Sequence, residues 1–257
     1  MKKSICRLAL MATVASTFLV NTPLFATEAD DRIEASAKQT YVFRTYLKDD
    51  NIKMQSKDGL VTLTGTVADP SHKALAEETV SGLPGVTGVQ NTLVDKDTTK
   101  DTKSDAWLIT KVKATLLFHK NVNASGTEVS GQNGTITLGG QATSAAQKDL
   151  TGEYAKDVEG VKNVTNEMTV ANQTVKAGTT KTDAVIEAID DTSITAMVKT
   201  TLLSHRSTSG LKTMVETKDG VVTLTGKAKT GAEKDLAGKY TSDVHGVKDV
   251  RNNLIVE

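Results

Sequence analysis

What this chain of 257 residues lacks narrows it first. It has a single cysteine, so no intrachain disulfide can form, and multi-cysteine zinc or iron–sulfur sites are excluded. Aromatic residues make up 4%, with one tryptophan, which is too little for a large aromatic-rich catalytic core. Thirty-one basic residues balance thirty-one acidic ones, so no overall positive charge drives nucleic-acid binding. No G-x-S-x-G, P-loop or dinucleotide fingerprint is present. Beyond the N-terminus, nothing approaches the roughly 18 consecutive apolar residues of a membrane-spanning helix.

The N-terminus reads Met1-Lys2-Lys3-Ser4-Ile5-Cys6-Arg7, then a mostly apolar run from Leu8 to Val20, broken by Asn21, Thr22 and Pro23. A basic start, a short apolar run and a small residue at Ala26 are the layout of a secretory signal peptide over residues 1–26. Export to the periplasm is expected. Cys6 precedes the apolar run, so the pattern for lipid attachment is missing. Removal of Lys2, Lys3 and Arg7 leaves 28 basic residues against 31 acidic, a net charge of −3.

What is present is repetition. Asp58-Gly59-Leu60-Val61-Thr62-Leu63-Thr64-Gly65 recurs as Asn133-Gly134-Thr135-Ile136-Thr137-Leu138-Gly139-Gly140, and again as Asp219-Gly220-Val221-Val222-Thr223-Leu224-Thr225-Gly226. A second block begins 26 residues after the first glycine each time, at Gly85-Val86, Gly160-Val161 and Gly246-Val247. Three occurrences in one register mark three copies of one unit.

Each unit reads as helix, hairpin, helix, strand. The first helix carries Leu108, Val112, Thr115 and Leu116 on one face in the second copy, and Ile194, Val198, Thr201 and Leu202 in the third. In the first copy Val42 and Tyr46 keep the pattern while Lys38 breaks it, and the segment before the hairpin counts five residues short. This copy is therefore expected to be the least stable. Asp-Gly and Asn-Gly are residues for type I′ turns, and the strand after each turn alternates apolar and Thr. Gly65, Gly140 and Gly226 are read as sites of close helix approach. Ser144-Ala145-Ala146-Gln147 and Thr230-Gly231-Ala232-Glu233 are capping boxes for the second helix, and Asp69-Pro70 is a variant start. Leu75, Leu150 and Leu236 are equivalent core positions. The fold class expected is α+β: three tandem small αββαβ domains, each a three-stranded mixed sheet with two helices on one face. They span residues 36–96, 104–171 and 190–257, with polar separators between them.

These blocks resemble the BON domain. The resemblance rests on Val112-Lys113 with Leu116 and Val198-Lys199 with Leu202. It rests also on the hairpins Asp58 to Gly65 and Asp219 to Gly226, and on the closing strands with Val89-Asn91-Leu93, Val164-Asn166-Met168 and Val250-Asn252-Leu254. Asn133 and Ile136 depart slightly. The resemblance implies a non-enzymatic envelope protein whose units bind phospholipid surfaces or other envelope components, induced by osmotic or envelope stress.

Site chemistry is sparse. His119 and His205 are equivalent positions near the ends of first helices, where a histidine suits the helix dipole. His72 and His245 have no equivalents. No metal set and no cofactor is expected, since a metal needs three or four convergent ligands. Asn91, Asn166 and Asn252 recur in every unit and are read as satisfying backbone groups inside it. The distinctive surface is a stripe on the second unit's first helix: Trp107, Lys111, Ala114 and Phe118. Its counterparts are read as Ser193, Met197, Thr200 and Ser204, and as Ala37, Tyr41, Arg44 and Lys48. Residues 96–120 hold six lysines and three aspartates. Lys103, Trp107, Lys111 and Phe118 are the candidate lipid-binding residues, with an anionic phospholipid surface as partner. Packing of Trp107 on another copy or on the linker is the competing reading. A protein–protein scaffold and a carbohydrate-binding module are the alternative functions.

Overall fold

In the computed structural model, residues 24–68, 70–96, 105–171 and 189–257 are described. The apolar run at 8–20, Asp69, Lys103 and most of both separators lie outside them. The first unit comprises α1 (Leu24–Gln39), α2 (Tyr41–Thr45), β1 (Asn51–Lys57), β2 (Leu60–Val67), α3 (Pro70–Ser81), β3 (Gly88–Asn91) and β4 (Val94–Asp95). The second comprises α4 (Asp105–Phe118), β5 (Thr127–Gln132), β6 (Thr135–Ala142), α5 (Ala145–Asp157), β7 (Asn163–Asn166) and β8 (Thr169–Val170). The third comprises α6 (Asp191–Ser204), β9 (Lys212–Lys218), β10 (Val221–Ala228), α7 (Gly231–Ser242) and β11 (Asp249–Val256).

The expected α+β fold is observed. In each unit the strand after the turn is central, antiparallel to the strand before it and parallel to the last. The last strand of the first two units is interrupted, so β4 and β8 continue the pairing of β3 and β7; β11 runs unbroken. Val61, Leu63 and Val67 are fully buried beneath the helices, as are Ile136 and Leu138 in the second unit and Val222 and Leu224 in the third. The Thr face is left open or half-open.

The turns are of the expected type. Asp58 and Gly59 have φ of 53° and 79°, and Asn133–Gly134 and Asp219–Gly220 match them. A carboxylate on the first helix holds each turn. Asp105 accepts from the N–H of Asn133 (2.7 Å) and of Gly134 (2.8 Å). Asp191 accepts from Asp219 (2.7 Å) and Gly220 (2.8 Å), and Asp30 from Asp58 (2.9 Å) and Gly59 (3.0 Å).

Asp30 corrects the first unit. It lies 29 residues before Gly59, as Asp105 does before Gly134 and Asp191 before Gly220, so nothing is missing ahead of that hairpin. The unit begins before residue 36, and Ile33 and Ala37 take the buried places of Leu108 and Val112. Val42 and Tyr46 belong instead to a second helical stretch after a break at Thr40, whose side chain caps α2. The five-residue deficit comes from matching the wrong helix, and the reason for expecting a weak first unit goes with it.

Gly65, Gly140 and Gly226 also differ in cause. Their φ values are 117°, 93° and 129°, and a Cβ at each would strike a carbonyl of the adjacent strand segment, not a helix. The capping boxes form: Ser144 accepts from Gln147 N–H while Gln147 accepts from Thr143, and Thr230 and Glu233 do likewise with Lys229. Leu75 is buried, whereas Leu150 and Leu236 are half-buried and face each other's unit across a cleft. Each recurring asparagine bridges helix and strand. Asn166 donates to Lys148 O and accepts from Met168 N–H, and Asn91 and Asn252 repeat this. Gly152 and Gly238 make room for it, since a Cβ there would come within 3 Å of the amide nitrogen. In the first unit Glu77 occupies that place and accepts from Asn91.

Candidate functional site

Two places gather the residues that could act: the outer face of α4, and the seam between the second and third units.

On α4 the predicted stripe divides. Trp107 is half-buried, and its ring carries the Lys111 ammonium 5.0 Å from its centroid. Lys111 also donates to Glu159 O (3.4 Å) and pairs with the Glu159 carboxylate (3.5 Å). Phe118 is 1% exposed, and Tyr46 of the first unit meets its ring edge-on at 5.3 Å. Ala114 is buried too. Phe118 is therefore corrected to an inter-unit contact, inaccessible to a lipid surface in this arrangement. The matching stripe on α6 is wholly used in packing: Ser193, Met197, Thr200 and Ser204 are all buried. Ser193 Oγ accepts from Val42 N–H, Asp190 accepts from Tyr41 N–H, and Lys199 pairs with Glu78 at 2.8 Å, all from the first unit. The first unit's true counterparts are Arg32, Ser36, Gln39 and Phe43, not Ala37, Tyr41, Arg44 and Lys48.

The seam is built from equivalent residues 86 apart. Nε2 of His119 and Nε2 of His205 lie 3.0 Å apart, and both rings are essentially fully buried. His119 stacks on Tyr154 at 3.9 Å and His205 on Tyr240 at 4.1 Å. The Tyr154 hydroxyl donates to Asp243 (2.6 Å) and the Tyr240 hydroxyl to Asp157 (2.8 Å), each carboxylate belonging to the opposite unit. His119 Nδ1 stands 3.2 Å from Asp243, and His205 Nδ1 stands 3.5 Å from Asp157. Asn121 also donates to Asp243, and Ser207 donates to Asp157 through its hydroxyl at 2.6 Å. Backbone bonds repeat the symmetry: Lys120 N–H to Asp243 O (2.8 Å) and Arg206 N–H to Asp157 O (2.7 Å). Both partners present the same patch, the isologous arrangement of a two-fold dimer inside one chain.

The electrostatics fit this assignment. Burial raises the Tyr154 phenol's pKa, and Asp243 raises it further; burial and Asp157 do the same to Tyr240, so both stay hydrogen donors. Burial works against the Asp157 carboxylate, but the bonds from His205, Ser207 and Tyr240 outweigh it and hold its pKa down. Burial drives the His119 imidazole below its ordinary value, against the pull of Asp243 and with the second histidine adding to it. The 86-residue spacing of the histidines is visible in the chain, and so is that of Tyr154 with Tyr240 and Asp157 with Asp243. Their convergence is not, because linear order does not say which units face each other. Among the described residues no group of three or more His, Cys, Asp or Glu is placed to hold a metal ion, and no helix is long and apolar enough to cross a membrane.

The BON domain family model matches residues 29–94, 104–172 and 190–257. The osmotically-inducible protein Y of Escherichia coli K12 is 35% identical over 150 residues, 58% of this chain and 71% of that protein. The outer membrane lipoprotein DolP of Haemophilus influenzae is 30% identical, over 46% of this chain and 64% of its own length. The 21 kDa hemolysin of Actinobacillus pleuropneumoniae is 27% identical, over 55% and 77%. Among solved structures, the C-terminal domain of CdsD from Chlamydia trachomatis covers 84% of this chain and 95% of its own at 14% identity, with a TM-score of 0.23. Three matched segments, each holding a complete helix–hairpin–helix–strand unit, make this chain a member of the BON domain family.

Proposed function

We propose that the protein is a non-enzymatic, exported envelope protein that binds anionic phospholipid and serves the response to osmotic or envelope stress, acting in the periplasm. The observation that carries the lipid reading is Trp107, the chain's one tryptophan, half-exposed at the start of α4 with Lys111 over its ring. An indole can sit at headgroup depth with its N–H wet, while each lysine near an anionic surface adds about 1 kcal/mol. Lys103, just ahead of α4 in the sequence, would add to this attraction. Phe118 would not, being covered by Tyr46. The relatives named for osmotic induction and for an outer-membrane lipoprotein support the stress and envelope setting.

The test is co-sedimentation with neutral and anionic vesicles. The expected result is salt-sensitive binding to anionic vesicles, a blue-shifted Trp107 emission, and about tenfold weaker binding for Trp107→Ala, equivalent to losing about 1.4 kcal/mol. Unshifted emission with undiminished variant binding would remove α4 as the site. A protein-contact role has separate support in the third sheet, where Met214 and Ile255 stand about two-thirds exposed on the open face.

A further inference from the structure

The contact between His119 and His205 sets a limit on how many protons the seam can hold. At 3.0 Å one Nε2 must donate and the other accept. Two Nε2–H groups cannot face each other at that distance, so the closed seam excludes the state in which both rings are imidazolium. Each Nδ1 faces a carboxylate oxygen, at 3.2 Å on Asp243 and 3.5 Å on Asp157, within reach of charge attraction but out of hydrogen-bond alignment. One Nε2 proton fits the contact. A second has no acceptor.

We propose that the His119–His205 contact is an acid-sensitive latch: it holds the second and third units together while one Nε2 is unprotonated, and it opens when the second proton arrives. The inference stands apart from the lipid reading. The groups facing the pair come from both units: Tyr154 of α5, Tyr240 of α7, Asp157 and Asp243 at the ends of those helices, and His245 beyond α7. The tyrosines stay neutral. The two carboxylates lie beside the rings, yet at His119 burial outweighs the pull of Asp243 and disfavours the charged form. His245 is itself disfavoured as a cation by burial, with Asp243 opposing that and Lys120 adding to it, and it needs its own control.

The sign follows from proton counting. The open chain takes up one proton more than the closed chain as pH falls below the ordinary histidine value of about 6.5. Closure is therefore at full strength above that value and is lost with falling pH. Each sheet keeps its buried face under helices of its own unit, Ile136 and Leu138 in the second and Val222 and Leu224 in the third, so the units part with their helices and strands retained.

The experiment is small-angle scattering of the full chain from pH 8 to pH 4.5, with far-UV circular dichroism as the check on folding. Expected is a rise in radius of gyration between about pH 6.5 and 5, with an unchanged dichroism spectrum. In His119→Gln/His205→Gln, an amide pair that can bond face to face without titrating, the expansion should move down by about one pH unit or more. His245→Asn should leave it where it is. A wild-type chain that stays compact to pH 5, a double variant that expands in step with it, or loss of the step in the His245 variant would each overturn the latch. The ring nitrogen NMR signals of the wild-type chain give a reading that needs no variant. The second proton should enter His119 and His205 together with the expansion, and two protonated Nε2 atoms in a chain still compact would also overturn the proposal.

Discussion

Gly140 has a φ of 93°, and a Cβ there would run into the Gly126 carbonyl. Gly140→Ala is expected to cost the second unit about 2 kcal/mol or more, by strain and by displaced strand pairing. Thermal denaturation of the full chain should show it as a lowered midpoint. The glycine is conspicuous in the sequence because it recurs in every unit, but its reason is not: alternation places it on the apolar face, and only backbone geometry shows that the obstacle is a carbonyl. The asparagines are the opposite case. Their recurrence with unvarying spacing implies local bonding within each unit, and Asn91, Asn166 and Asn252 all bond to backbone on either side.

At the scale of elements, the link that matters is from first helix to hairpin. The two N–H groups of each turn point at one carboxylate, and in Asp105 and Asp30 that carboxylate resists protonation. In Asp105 the bond from Gly134 contributes most and that from Asn133 next; in Asp30 the hydroxyl of Ser56 leads and Gly59 follows. A carboxylate with a lowered folded-state value stabilises the fold above its unfolded value of about 3.9, and that contribution is lost as pH falls through the folded value. The hairpin amides of Asn133 and Gly134 should keep their exchange protection down to about pH 4 and lose it below. In Asp105→Asn one of the two acceptors becomes a donor, so faster amide exchange at one of those residues is expected at every pH. Hairpins, capping boxes and strand order are legible from turn residues and alternation. The first unit's opening helix is not, because Thr40 breaks it and the residues after the break imitate a helix of their own.

The whole molecule is held by surfaces that its sequence presents as free. A stripe on α6 and half of the stripe on α4 look like exposed faces of isolated units, yet they are covered by neighbouring units. Periodicity finds the face a helix buries in its own unit; a second buried face has no separate signature. The units are therefore expected to stabilise one another through these contacts. Reversing one charge tests this: in Lys199→Glu two carboxylates would meet where Lys199 and Glu78 now pair at 2.8 Å. The docking of the first unit should weaken by on the order of 1 kcal/mol. Scattering should report a larger radius of gyration at neutral pH, with the helix and strand content retained.

The seam also fixes which units can marry. At the positions of the two histidines, the two tyrosines and the two aspartates, the first unit has Arg44, Thr79 and Gly82. It therefore cannot take either place in the pair, although its fold is the same. The second and third units, by contrast, each carry both the lock and the key, so either could pair with its own twin. Tethering settles the choice. A connecting segment of some twenty residues holds the proper mate at an effective concentration on the order of millimolar, far above that of any other chain in dilute solution. The arrangement is a dimer that never has to search for its partner, and one that, once parted, can find it again.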